Sequence, residues 1–143
     1  MEKTGKIKKE DIDLLSIKKL ESIIFDLTDS LGKKDTSKAM QVLYNLIYTK
    51  EPIQKILITL YNHFKKLYFT TIARQSGKNV ADALNLKPNQ IFLVNKYVKQ
   101  SQYFNENELK QILQELRDLD YNYKCGLIDL QIGLESILCV YCS

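Results

Sequence analysis

No run of about 18 apolar residues exists in this chain, which excludes a membrane-spanning helix. The amino end, MEKTGKIKKEDID, also lacks the apolar core of a secretory signal, and the chain is read as cytoplasmic. Cysteine is sparse: three residues, an odd count that argues against a disulfide framework and leaves reduced thiols as the default. Tryptophan is absent, and the chain is rich in Lys, Ile and Asn, a usage that reads as genome composition rather than chemistry. There is no P-loop, no Gly-rich phosphate loop and no HExxH. The single histidine, His63, has no Ser or Cys at a spacing that suggests a nucleophile with its base. No enzyme is recognisable, and neither a cofactor nor a metal is implied.

Excess charge of one sign is small as well. Lys and Arg number 21 against 17 acids, a net +4, and residues 1–20 hold six Lys against four acids, leaving only +2 for the remainder. That balance is too slight to predict nucleic-acid binding from electrostatics alone. What remains is ordinary globular composition, 45% hydrophobic and 27% charged over 143 residues. It suits one domain able to bury a core without a disulfide or metal staple.

Apolar residues recur at i, i+3, i+4 and i+7 nearly throughout, and sustained period-two alternation is missing, so the fold class is all-α, a compact bundle of about six to seven helices. Residues 1–20 read as a polar leading segment or a linker from a preceding domain, and 21–143 as the helical domain. The spacing predicts a first helix from about Ser22 to Leu31, ended by Gly32 as the left-handed residue. Asp35 caps a second helix, and Pro52 opens a long third one to about Gln75. Next come a short helix near Asn79 to Leu84 and another from Pro88 to about Gln100. A helix started by Asn105 with Glu108 ends at Gly126, and a last one follows Asp129.

The third helix carries more apolar surface than one face needs. Ile53, Ile56, Leu57, Leu60, Phe64, Leu67 and Tyr68 form one stripe, and Ile58, Tyr61, Phe69 and Ile72 form a second beside it. In the last helix Ile132 and Cys139 fall off the main stripe. These surplus residues, Ile58, Phe69, Ile72, Ile132 and Cys139, are the candidate subunit interface.

Three other features invite chemistry. Cys139-Val-Tyr-Cys142 is a CxxC, but it lies at a helix C-terminus, where the dipole opposes a thiolate, so two small apolar residues are the better reading. Asp120 falls within the apolar stripe of its helix near the C-terminal end, where burial and dipole both disfavour a carboxylate. It needs a donor, and Lys124 at i+4 or a tyrosine from another helix can supply it, making both residues candidate structural polar groups. The segment VADALNLKPNQIFLVNKYV, within Asn79 to Gln100, has the cadence of a DNA-binding helix-turn-helix, the alternative reading. Its second helix leaves only Asn89, Gln90, Asn95, Lys96 and Lys99 to face a groove, a poor polar face for reading bases.

Taken in order, several elements resemble a known family. Glu21, Ile24, Phe25, Asp26, Leu27, Asp29, Leu31, Gly32 and Ala39 follow its opening rhythm, and Glu51-Pro52-Ile53 its next element. Ala81, Leu84 and Pro88 match a turn, Tyr103-Phe104 with Glu108-Leu109 a helix start, and Leu119-Asp120, Lys124, Gly126, Ile128-Asp129, Leu134 and Glu135 its close. The chain is similar in these respects to the C-terminal collar domain of the delta subunit of bacterial DNA polymerase III, the clamp-loader subunit. Departures include Lys65 and Lys66 where Arg is frequent, Asn85 in place of a turn Gly, and Cys125 in place of Thr.

The resemblance implies a helical collar that associates with the collars of the other clamp-loader subunits. It implies DNA and the sliding β clamp as partners only through the complete complex, and no membrane. The family's two preceding domains, which carry the clamp-binding element, do not fit in this length. No intrinsic activity is expected of the piece, whose parent subunit serves a DNA-directed DNA polymerase holoenzyme.

Overall fold

A computed structural model describes residues 19–49 and 51–142, and not the side chain of Cys142. The leading segment therefore lies outside the described residues except for its last two positions. Among the described residues there are seven α-helices, a single 3-10 turn and no strand. They are α1, described over residues 19–32, α2 (Thr36–Tyr48), α3 (Ile53–Gln75), α4 (Val80–Ala83), the 3-10 turn Pro88–Gln90, α5 (Leu93–Ser101), α6 (Glu106–Lys124) and α7 (Leu130–Cys142).

Helix starts follow from short polar side chains that satisfy the first free backbone N–H groups. Asp35 accepts from the N–H of Lys38 at 3.2 Å, Asn105 from that of Glu108 at 2.7 Å, and Asp129 from that of Ile132 at 3.0 Å. Pro52 has no such bond and stands as the residue preceding Ile53, its fixed φ of −58° leading into α3. At the far end of α6, Gly126 takes φ +74°, the left-handed turn that its lack of a Cβ permits.

The predicted boundaries shift at three places. α1 is already helical at residue 19, and Leu20 is buried in the core, so this helix begins before Ser22. Gly32 is not the left-handed residue: it stays helical, and Lys34 carries φ 61° instead. What Gly32 supplies is room, because a Cβ there would lie 2.6 Å from the Cβ of Tyr103. The helix expected from Pro88 breaks into the 3-10 turn and α5, which starts only at Leu93, leaving Ile91 and Phe92 in the exposed link.

The core is one continuous cluster. Leu20, Ile24, Leu27 and Leu31 of α1 meet Ile56, Leu57, Leu60, Phe64 and Leu67 of α3, Leu109, Ile112 and Leu116 of α6, and Leu134 and Leu138 of α7. α3 packs against α4, α5, α6 and α7, most extensively against α6. Its first stripe is thereby consumed: Ile56, Leu57, Leu60, Phe64 and Leu67 are buried, and Ile53 and Tyr68 half-buried. A long-range bond closes the fold, with Lys34 Nζ donating to the Tyr141 carbonyl at 2.7 Å and capping the last turn of α7 with a cation.

Candidate subunit interface

On α3, Ile58 and Phe69 stand three turns apart on one face, the residues beyond the stripe that the core takes up. They are 52% and 40% exposed, whereas Ile72 and Tyr61, on the same side, are half-buried. On α7, Ile132 is 61% exposed, and Cys139, two turns on along the same face, is exposed as well. Isoleucine and phenylalanine standing open to water at this level form surface that a folded domain gains by covering.

Two depressions flank the exposed face of α3. A slot of about 290 Å³ lies between α3 and α6, lined by Leu57, Ile58, Tyr61, Leu116, Arg117 and Asp120. A larger, half-open cleft of about 800 Å³ lies beside Phe69, between α1, α3, α4 and α5. Lys55, Lys65, Lys66 and Lys96 line it, opposed by Glu21 and Asp26. Lys65 Nζ stands 5.8 Å from the centre of the Phe69 ring and Lys66 Nζ 5.9 Å from that of Tyr97.

Asp120 is held as its position requires: Lys124 Nζ lies 2.9 Å from Oδ2, an i,i+4 pair along α6. Its Oδ1 is buried and has no hydrogen-bond partner. Tyr141, from α7, is buried near Glu115 of α6 rather than near Asp120. Burial, reinforced by the Glu115 carboxylate, raises the pKa of its phenol.

His63 is buried more deeply than the half-buried position its place at the edge of the stripe suggests, 7% exposed. Its Nε2 bonds Gln100 Oε1, and Gln100 Nε2 donates to the Phe25 carbonyl at 3.0 Å, so one relay ties α3, α5 and α1. Phe25 meets the imidazole edge-on at 5.4 Å. Burial, with the nearby Lys66 charge adding to it, lowers the His63 pKa to about 4 despite the Gln100 bond. A neutral ring locked by three helices serves packing.

The helix-turn-helix geometry is not built, because α4 is a single turn of four residues and α5 spends Tyr97, Gln100 and Ser101 on burial. Nor do the described residues include a cluster of three or more metal-ligating side chains. Sequence reasoning missed three strongly exposed aromatics, Tyr48 on α2 at 87%, Tyr121 on α6 at 68% and Phe92 at 67%. Tyr48 was detectable, since it falls outside the Ala39-Leu43-Leu46 face of its helix; Phe92 was not, because its exposure follows from the break before Leu93.

The family model for the C-terminal domain of the DNA polymerase III delta subunit matches residues 21–141. This chain belongs to that family. DNA polymerase III subunit delta of Bacillus subtilis (strain 168) is 30% identical over 132 residues, 90% of this chain and 37% of that protein. The solved Bacillus subtilis DNA clamp loader delta protein aligns with a TM-score of 0.78 at 28% identity, over 86% of this chain and 36% of its own. The delta C-terminal domain described above thus spans little more than a third of the length of these relatives. Within the matched range lie all five candidate interface residues, Asp120 and Lys124.

Proposed function

We propose that this delta C-terminal domain is a collar, an association module that binds the corresponding helical domains of sibling subunits in a clamp loader. The loader so assembled places the sliding β clamp on primed DNA, and the domain meets DNA and clamp only through that complex. The reading rests on one observation, that a chain matching the delta family over residues 21–141 keeps large apolar side chains, Ile58, Phe69 and Ile132, open to water after its core is complete. Interfaces of stable assemblies concentrate such residues at their centre. The domain acts by shape and apolar contact and carries no catalysis of its own.

Reconstitution with the sibling loader subunits tests this. Phe69→Asp and Ile132→Asp should each weaken association by at least about tenfold while leaving helicity and melting temperature near the parent's. Unchanged association in both variants would refute the collar reading.

A further inference from the structure

The cleft beside Phe69 holds more positive charge than its own walls neutralise. Lys55 pairs with Glu51 at 3.7 Å, but Lys65, Lys66 and Lys96 stand in no ion pair among the described residues, although Glu21 and Asp26 of α1 line the same cleft. Apolar surface accompanies the charge: Phe69 is exposed, and Leu84 and Leu93 are half-buried. Beneath lie two buried rings, Tyr97 and the His63 imidazole that Gln100 holds, so the floor is set before a ligand arrives. On α3, Lys55, Thr59, Asn62 and Lys66 line the cleft at i, i+4, i+7 and i+11, one helical face about 16 Å long. An extended chain covers that length in about five residues.

We propose that this cleft binds an extended acidic peptide segment of another protein, whose carboxylates meet Lys65, Lys66 and Lys96 while one apolar side chain packs on Phe69. The interaction is separate from collar association and does not depend on it. Ring geometry selects a peptide over a nucleic-acid strand. Strand binding draws on aromatic faces for successive bases, yet Lys65 Nζ already covers one face of Phe69 at 5.8 Å, and Tyr97, with Lys66 Nζ at 5.9 Å, is buried. Charge agrees. Glu21 and Asp26 repel a strand that carries one negative charge per nucleotide, whereas a peptide places carboxylates only where its side chains put them and offers backbone N–H groups to both acids. A cleft of about 800 Å³ has room for such a segment.

An immobilised array of hexapeptides, each with two or three Asp or Glu, one Phe or Leu and the remainder Ser, in every order, probes the intact chain. A subset should retain it. For the best of these, followed by fluorescence anisotropy, the triple variant Lys65→Ala, Lys66→Ala, Lys96→Ala should bind at least about tenfold more weakly. A control triple, Lys38→Ala, Lys78→Ala, Lys110→Ala, removes equal charge elsewhere and should change binding by less than about twofold. Circular dichroism checks that both triples keep their helices. Retention by no hexapeptide, or equal weakening by the two triples, would overturn the proposal. So would tighter binding of a six-nucleotide oligothymidylate that the cleft triple abolishes, which would make the occupant a nucleic-acid strand. Association with sibling subunits should be unchanged in the cleft triple; its loss would assign the cleft to the collar contact and equally overturn the peptide, while the collar reading is judged separately at Ile132.

Discussion

His63 shows what one side chain costs when three helices enclose it. The ring stays neutral in the fold down to about pH 4, whereas in the unfolded chain it takes up a proton below about pH 6.5. Between those values the unfolded state binds more protons, so stability falls as pH drops through the window, by about 3 kcal/mol in all, and is level above it with respect to this group. His63→Gln removes the titration while keeping a polar group near Gln100. Denaturant unfolding from about pH 7 down to about pH 4.5 should show the parent losing stability more steeply than the variant. Parallel slopes would refute this account of the ring.

Gly32 is the second such residue. Its absent Cβ makes the space into which the base of Tyr103 packs, and that near end of a side chain cannot swing away. Gly32→Ala should therefore destabilise by about 1–3 kcal/mol, against the usual gain of replacing a helical glycine, and a melting curve decides the sign.

At the scale of elements, the caps carry local information. Asn105 bonds the Glu108 N–H in an exposed setting, so Asn105→Ala should cost about 1 kcal/mol, read by chemical denaturation, and Asn105→Asp almost nothing. Asn85 holds φ 55°, a conformation asparagine tolerates and alanine does not. Asn85→Gly should be neutral or stabilising and Asn85→Ala destabilising by about 1 kcal/mol, compared by thermal melts.

Caps and stripes explain why so much of the bundle was legible in the chain. Asp35, Asn105 and Asp129 act within three residues of themselves, and the alternation of Ile56, Leu60, Phe64 and Leu67 reports one buried face whatever it meets. The same periodicity exposed the surplus at Ile58 and Phe69. Features decided by distant partners were opaque: Gly32 answers to Tyr103, and His63 to Gln100 and Phe25. The break before Leu93 was hidden because Ile91 and Phe92 look, in sequence, like any helical pair.

For the molecule as a whole, α3 is the organising member. At 23 residues it runs about 34 Å, and α4, α5, α6 and α7 all lean on it, with the core of α1 along the same stripe. Its side turned away from that core holds Ile58 at one end and Phe69 toward the other. A neighbour that grips there holds the axle rather than a panel. Because close-packed interiors resist compression, a tilt imposed at that grip moves the remaining helices as a unit. The domain then transmits displacement as a stiff lever rather than absorbing it within one helix.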